Sequence, residues 1–146
     1  MPIFLTSPAA APDVPSIRRR LAAMIYESLL ISAVLMFGFL LPQTLWAALS
    51  GYVAPPSVLL WHVLLLLMLY CVWFWTHGGQ TPAQKTWKFR VVDVSGRPLR
   101  PVQAIFRYLA AWFTLGLCGA GILWALFDPD RQFLHDRIAG SRLVLV

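Results

Sequence analysis

Charged residues are scarce in this chain, 12% of its 146 positions, about half the share that soluble domains carry. Together with 59% hydrophobic residues and a mean hydropathy of +0.68, that shortage excludes an ordinary water-soluble globule. Acidic residues are fewest, six against twelve Lys plus Arg, which leaves a net charge of +6 and a pI near 10. A basic excess suits nucleic acid or an anionic membrane surface, and long apolar runs decide for the membrane. Cysteine is nearly absent. Cys71 and Cys118 each lie inside an apolar run, where they read as small hydrophobes rather than as a disulfide or a metal site. The chain has no nucleotide-binding glycine pattern, no GxSxG, no HExxH and no CxxC, so no enzyme class is indicated and no cofactor is expected. Its length allows one domain and excludes a large enzyme with separate substrate and cofactor lobes.

What is present is organised around three apolar runs. Leu21 to Leu41 holds 21 residues with Glu27 as its one charge, and at ~1.5 Å per residue it covers ~31 Å, about one hydrocarbon thickness. Val58 to Trp75 is uncharged and, at 18 residues, just long enough to cross. The third run, 105–127, is apolar except for Arg107 and carries GLCGAG at 116–121. Glycines so dense let two helices pack closely or let one helix turn. Residues 1–16 have four prolines and no basic start, so they are read as a disordered cytoplasmic tail rather than a secretory signal. Residues 17–146 then form a single membrane domain.

Basic residues set the orientation. Arg18, Arg19 and Arg20 precede the first run, the connection from Pro42 to Ser57 has no Lys or Arg, and Thr76 to Ala104 has Lys85, Lys88, Arg90, Arg97 and Arg100. The bias places the N-terminus and the second connection in the cytoplasm. Arg131, Arg137 and Arg142 in the C-terminal tail disfavour a third full crossing. The β-branched stretches 88–94 and 142–146 add to this, because pairing them into a small cytoplasmic sheet needs both on one side. The expected fold is an all-α helical membrane protein with two full transmembrane helices, about 21–41 and 58–75. The third apolar segment, 105–127, forms either a helical hairpin that turns near Gly116 to Gly121 or a straight span.

Few residues carry chemistry. Glu27 is an acid inside a span, which costs a few kcal/mol and calls for a partner or a role. It lies seven residues after Arg20, two helical turns along the same face, and Arg107 enters the third run at comparable depth. These side chains form either a proton or cation site or an interhelical ion pair. In the tail, Asp128, Asp130, His135 and Asp136 have no metal-binding spacing, so no metal is expected. A short surface helix there, with Phe133, Leu134 and Ile138 inward and Gly140 ending it, is the structural reading. Thr81 followed by Pro82 reads as the start of another short interfacial helix. Basic residues beside Trp87 and Phe89 suit anionic lipid headgroups, not nucleic acid. His62 and His77, at the two ends of the second run, read as interface residues.

Four segments together resemble the RDD family of small bacterial membrane proteins: RRLAAMIYESLL (19–30), GGQTPAQKTWKFRVVDVSGRPL (78–99), Arg107 with its apolar run, and FDPDRQFLHDRIAGSRLVLV (127–146). The family takes its name from one arginine and two aspartates. The resemblance assigns these to Arg20, to Glu27 in place of the first aspartate, and to Asp136. Ala83 stands where members often have glycine. The resemblance implies a multi-pass protein of the bacterial inner membrane that takes part in transport of an ion or small solute. Three or four short helices enclose no pathway, so a homo-oligomer or membrane partner is expected, with Arg20, Glu27, Arg107 and Asp136 as a charged cluster. The rival reading is a non-transporting structural or adaptor module that docks a protein or anionic lipid.

Overall fold

A computed structural model describes residues 13–117 and 119–146. The expected tail over 1–16 lies outside the described residues up to residue 12, as does the reading of Cys118. Asp13 to Ser16 run along the rest of the chain: the Asp13 carbonyl accepts the Leu145 amide at 2.9 Å, and Pro15 is buried.

Ser16 caps α1 (Ile17–Leu35), its hydroxyl accepting the Arg19 amide at 3.3 Å. The helix passes through a π turn, Met36–Leu40, into α2 (Leu41–Ser50), so that 34 residues run as one helix from Ile17 to Ser50. This is longer than the expected 21–41. Pro42 has no amide for the helical ladder, and the widened π turn just before it absorbs the misfit without ending the helix. Gly51, at φ 68°, finally stops it in the left-handed conformation. The helix α3 (Pro56–Thr76) returns alongside. Gly38 permits the close approach, since a Cβ there would sit 2.8 Å from a Leu66 methyl. Both long helices are apolar enough to cross a membrane. Their outer faces are apolar too, with Leu29, Phe37, Leu49 and Leu69 exposed.

Past α3 the chain turns at Gly78 and Gly79 into α4 (Pro82–Thr86). Thr81 caps α4 as the sequence indicates, in a capping box with Gln84. The strand β1 (Phe89–Asp93) pairs antiparallel with β2 (Ser141–Leu145), with Val91 opposite Leu143 and Phe89 opposite Leu145. The expected sheet is present. Two strands alone are marginal, and both edges of this pair are closed by other segments. Gly79 O accepts the Val91 amide (2.7 Å), while Gln132 Oε1 and Asp13 O accept the Leu143 and Leu145 amides. Phe89, Val91 and Leu143 point inward and join Ala23, Leu67, Trp75, Leu99, Ala104 and Tyr108 in one core that ties α1, α3 and the next helix, α5 (Pro101–Gly116), to the sheet.

The third apolar segment is divided into α5 (Pro101–Gly116) and α6 (Ala120–Phe127), which meet at 95°. The chain turns at the glycines through a right angle rather than a full reversal, with Gly119 at φ 74°. The corner is tight, because a Cβ on Gly121 would lie 2.6 Å from Thr114 Cβ. With eight residues, ~12 Å, α6 is too short to cross a bilayer alone. The last helix is α7 (Leu134–Ile138). Its inward face corrects the sequence reading: Phe133 is buried as expected, but His135 and Asp136 turn inward and Ile138 is 58% exposed. Ion pairing by Asp136 outweighs the hydrophobicity of Ile138 in setting the roll of so short a helix.

Candidate functional site

The polar residues converge where α1, α4, α5 and α7 meet beneath the long helices. Asp136 is fully buried, and one of its oxygens, Oδ1, accepts from Arg107 Nε (3.0 Å) and Nη2 (2.7 Å). Arg107 is itself 4% exposed, and the Trp75 ring covers its guanidinium at 4.2 Å. The aromatic face compensates part of the charge that the single shared oxygen leaves unmatched. His135 Nε2 lies 3.8 Å from the same oxygen, and His135 Nδ1 is 3.4 Å from the Thr114 hydroxyl. Burial pushes the imidazole down to about 4, against the pull of Asp136, so His135 is neutral near pH 7.

A second knot holds the loop before α7. Asp128 Oδ1 accepts from Arg137 Nε (3.0 Å) and Nη2 (2.7 Å), Asp128 Oδ2 accepts the Gln132 amide (2.9 Å), and Arg137 also reaches Asp130 (2.9 Å). Desolvation raises the Asp128 carboxyl, but the Gln132 amide and the Arg137 guanidinium outweigh it and hold the group below the usual carboxylate range.

Glu27 is placed differently from the expectation that an arginine neutralises it. Its Oε1 accepts from the Tyr70 hydroxyl at 2.5 Å, and its Oε2 accepts a short hydrogen bond from the Thr81 hydroxyl. It forms no ion pair among the described residues. Arg20, 1% exposed, donates from Nε to the Pro15 carbonyl (3.0 Å) and lies over the Phe133 ring at 5.1 Å. Of the four residues singled out from sequence, the structure therefore pairs Arg107 with Asp136 and pairs neither arginine with Glu27. Arg20, Glu27 and Arg107 nonetheless border one cavity of about 350 Å³ between α1, α3 and α5. The walls running away from them are apolar: Ile31, Leu67, Ala111, Trp112 and Leu115.

Sequence reasoning missed Tyr70, Thr81 and Trp75 as parts of this site. A phenol inside an otherwise uncharged apolar run was the available signal for Tyr70. Thr81 was legible only as a helix cap, and its hydroxyl both caps α4 and donates to Glu27. Trp75 and Tyr108, aromatics near the ends of their apolar runs, are 6% exposed and belong to the core, with the Tyr108 hydroxyl donating to Leu64 O (2.8 Å). His62 meets Gln43 (2.8 Å), and His77 stacks on Trp73. No cluster of three His, Cys, Asp or Glu side chains suited to a metal occurs among the described residues.

The model of the RDD family matches residues 14–140, most of the chain. An uncharacterized protein of Rickettsia prowazekii (strain Madrid E) is 27% identical over 81 residues, covering 56% of this chain. The matched part spans 45% of that relative's own length. No solved structure matches the chain.

Proposed function

Since the chain belongs to the RDD family, we propose that it is a multi-pass protein of the bacterial inner membrane taking part in transport of an ion or small solute, with its N-terminus cytoplasmic. The observation that carries this reading is the setting of Glu27. Its carboxylate borders a cavity, and two hydroxyls hold it there instead of an arginine. An acid locked in an ion pair has its charge committed to packing. One held by hydroxyls can take up and release a proton, or join Tyr70 and Thr81 in an all-oxygen set suited to a hard cation. Neither arginine pairs with Glu27: Arg107 is engaged by Asp136, and Arg20 bonds through Nε alone to Pro15 and lies over Phe133. Three or four short helices are too few for one copy to enclose a pathway, so the transporting unit is a homo-oligomer or a complex with a membrane partner. No chemical transformation is assigned to the protein.

The test is flux in proteoliposomes made with the purified full chain, using imposed proton, sodium and potassium gradients. Wild type dissipates at least one gradient faster than empty vesicles, and a folded Glu27→Gln variant falls to the empty-vesicle rate. If wild type matches empty vesicles for every gradient, the transport reading fails. The adaptor reading then stands, supported by the exposed Lys85, Lys88, Arg90, Arg97 and Arg100, a basic surface suited to anionic headgroups or an acidic protein.

A further inference from the structure

The cavity is lined by two residues that carry buried polar atoms without a partner among the described residues. Arg20 is 1% exposed, yet its Nη1 and Nη2 have no hydrogen-bond partner among the described residues. Asp136 and Asp128 act on it through their fields but form no ion pair with it. Trp75 Nε1 is likewise buried without a partner. Both residues line the cavity. The unpartnered buried acceptor nearby is Asp136 Oδ2, on a residue that does not border the space. Three buried, unpartnered donor nitrogens therefore belong to residues that line the cavity, and no lining residue among those described carries an unpartnered buried acceptor. Leaving such donors unmet is unfavourable, most of all on a charged group, and the imbalance selects an anionic ligand head over a cationic one. Beyond Arg20 the wall is Ile31, Leu67, Ala111, Trp112 and Leu115, which a small hydrated anion does not need. At about 350 Å³, the volume lies at the lower end of the ~300–1,000 Å³ common for ligand pockets, and favours one chain over two.

We propose that the cavity binds a single-chain anionic amphiphile, its carboxylate or phosphate head held by Arg20 and its chain lying along the apolar wall of α1, α3 and α5. Glu27 does not compete with the head for Arg20, because both its oxygens already accept hydroxyl hydrogen bonds. The inference goes beyond the transport reading and requires no flux, so either can fail alone.

Equilibrium binding to the purified full chain in a neutral detergent tests it, with four probes: oleate, lysophosphatidate, monoolein and inorganic phosphate. At least one of the two anionic amphiphiles binds saturably, about one per chain, and at least tenfold more tightly than monoolein or phosphate. The better of the two identifies the head. Arg20→Gln weakens that binding about tenfold or more, the loss expected for a charged hydrogen-bond donor, while the exposed neighbour Arg19→Gln leaves it within twofold. Ala111→Phe, which fills the apolar wall, also weakens it about tenfold and serves as the deciding variant if Arg20→Gln does not fold. Phosphate binding as tightly as lysophosphatidate would identify a plain ion site and overturn the proposal. Equal affinity for monoolein, equal losses in the Arg19 and Arg20 variants, an unchanged Ala111→Phe, or no saturable binding at all also overturn it.

Discussion

Replacing Asp136 by Asn keeps the shape of the side chain and removes its charge, stranding the Arg107 guanidinium in the interior. Asp136 has no exposed surface, Arg107 has 4%, and both short hydrogen bonds from the guanidinium end on one carboxylate oxygen, which the amide can replace only with a neutral acceptor. Breaking one side of a buried pair costs ~3–5 kcal/mol, because the remaining ion is left without a counter-charge. For a chain of this size, each kcal/mol lowers the melting temperature by ~2–4 °C, so a fall of roughly 6–20 °C is expected. Arg107→Met should fall in the same range, since it leaves the Asp136 carboxylate buried beside a neutral histidine. The double variant Arg107→Met/Asp136→Asn removes both charges, and its loss should be smaller than the sum of the singles by ~2 kcal/mol or more. Thermal melts of the detergent-solubilised chain, followed by size-exclusion chromatography, give all four corners of the cycle. A single-variant loss under ~1 kcal/mol, or losses that simply add, would show that the pair does not hold α5 to α7.

Two further outcomes follow from the same geometry. Gly79→Ala is expected to destabilise the chain by ~2 kcal/mol or more, since its φ of +73° is unfavourable for a side chain and the new Cβ would collide with the Val91 carbonyl oxygen. A melt unchanged within ~0.5 kcal/mol would contradict the close approach of the turn to β1. His135 gives a pH dependence whose sign is fixed by its lowered pKa. Stability is complete above the unfolded value near 6.5 and is lost as pH falls from there towards about 4, at up to ~1.4 kcal/mol per pH unit, because the unfolded chain takes up a proton that the buried imidazole refuses. His135→Gln should flatten the melting profile in that window, and an undiminished slope in the variant would assign the dependence to other groups.

Much of the architecture was legible because its signals are local and repeated. Two long apolar runs announce α1 and α3, and the β-branched stretches 88–94 and 142–146 announce the paired strands found at 89–93 and 141–145. The Thr81–Pro82 junction announces α4. The departures lie where a distant contact overrules a local pattern. Glu27 looked to Arg20, two turns away on its own helix, yet its partners Tyr70 and Thr81 lie 43 and 54 residues further along, and no spacing within one helix reports them. Arg107 was legible as an intramembrane cation in search of an acid. Its choice of Asp136 over Glu27 depends on α7 rolling inward, and a five-residue helix has too little periodicity to reveal its roll. The helix running on through Pro42 was hidden for a related reason: a π turn is a backbone adjustment without a residue signature.

The proposed orientation puts the cavity floor on the cytoplasmic side, with the start of α1, the sheet and the 128–146 tail all on one face of the membrane. Alkaline phosphatase fused after Val146, active only when exported, tests this most directly when scored beside the same reporter placed in the connection at 51–55. The account predicts activity at 51–55 and none after Val146. Activity after Val146 would part β2 from β1 and Asp136 from Arg107, and with them the site itself.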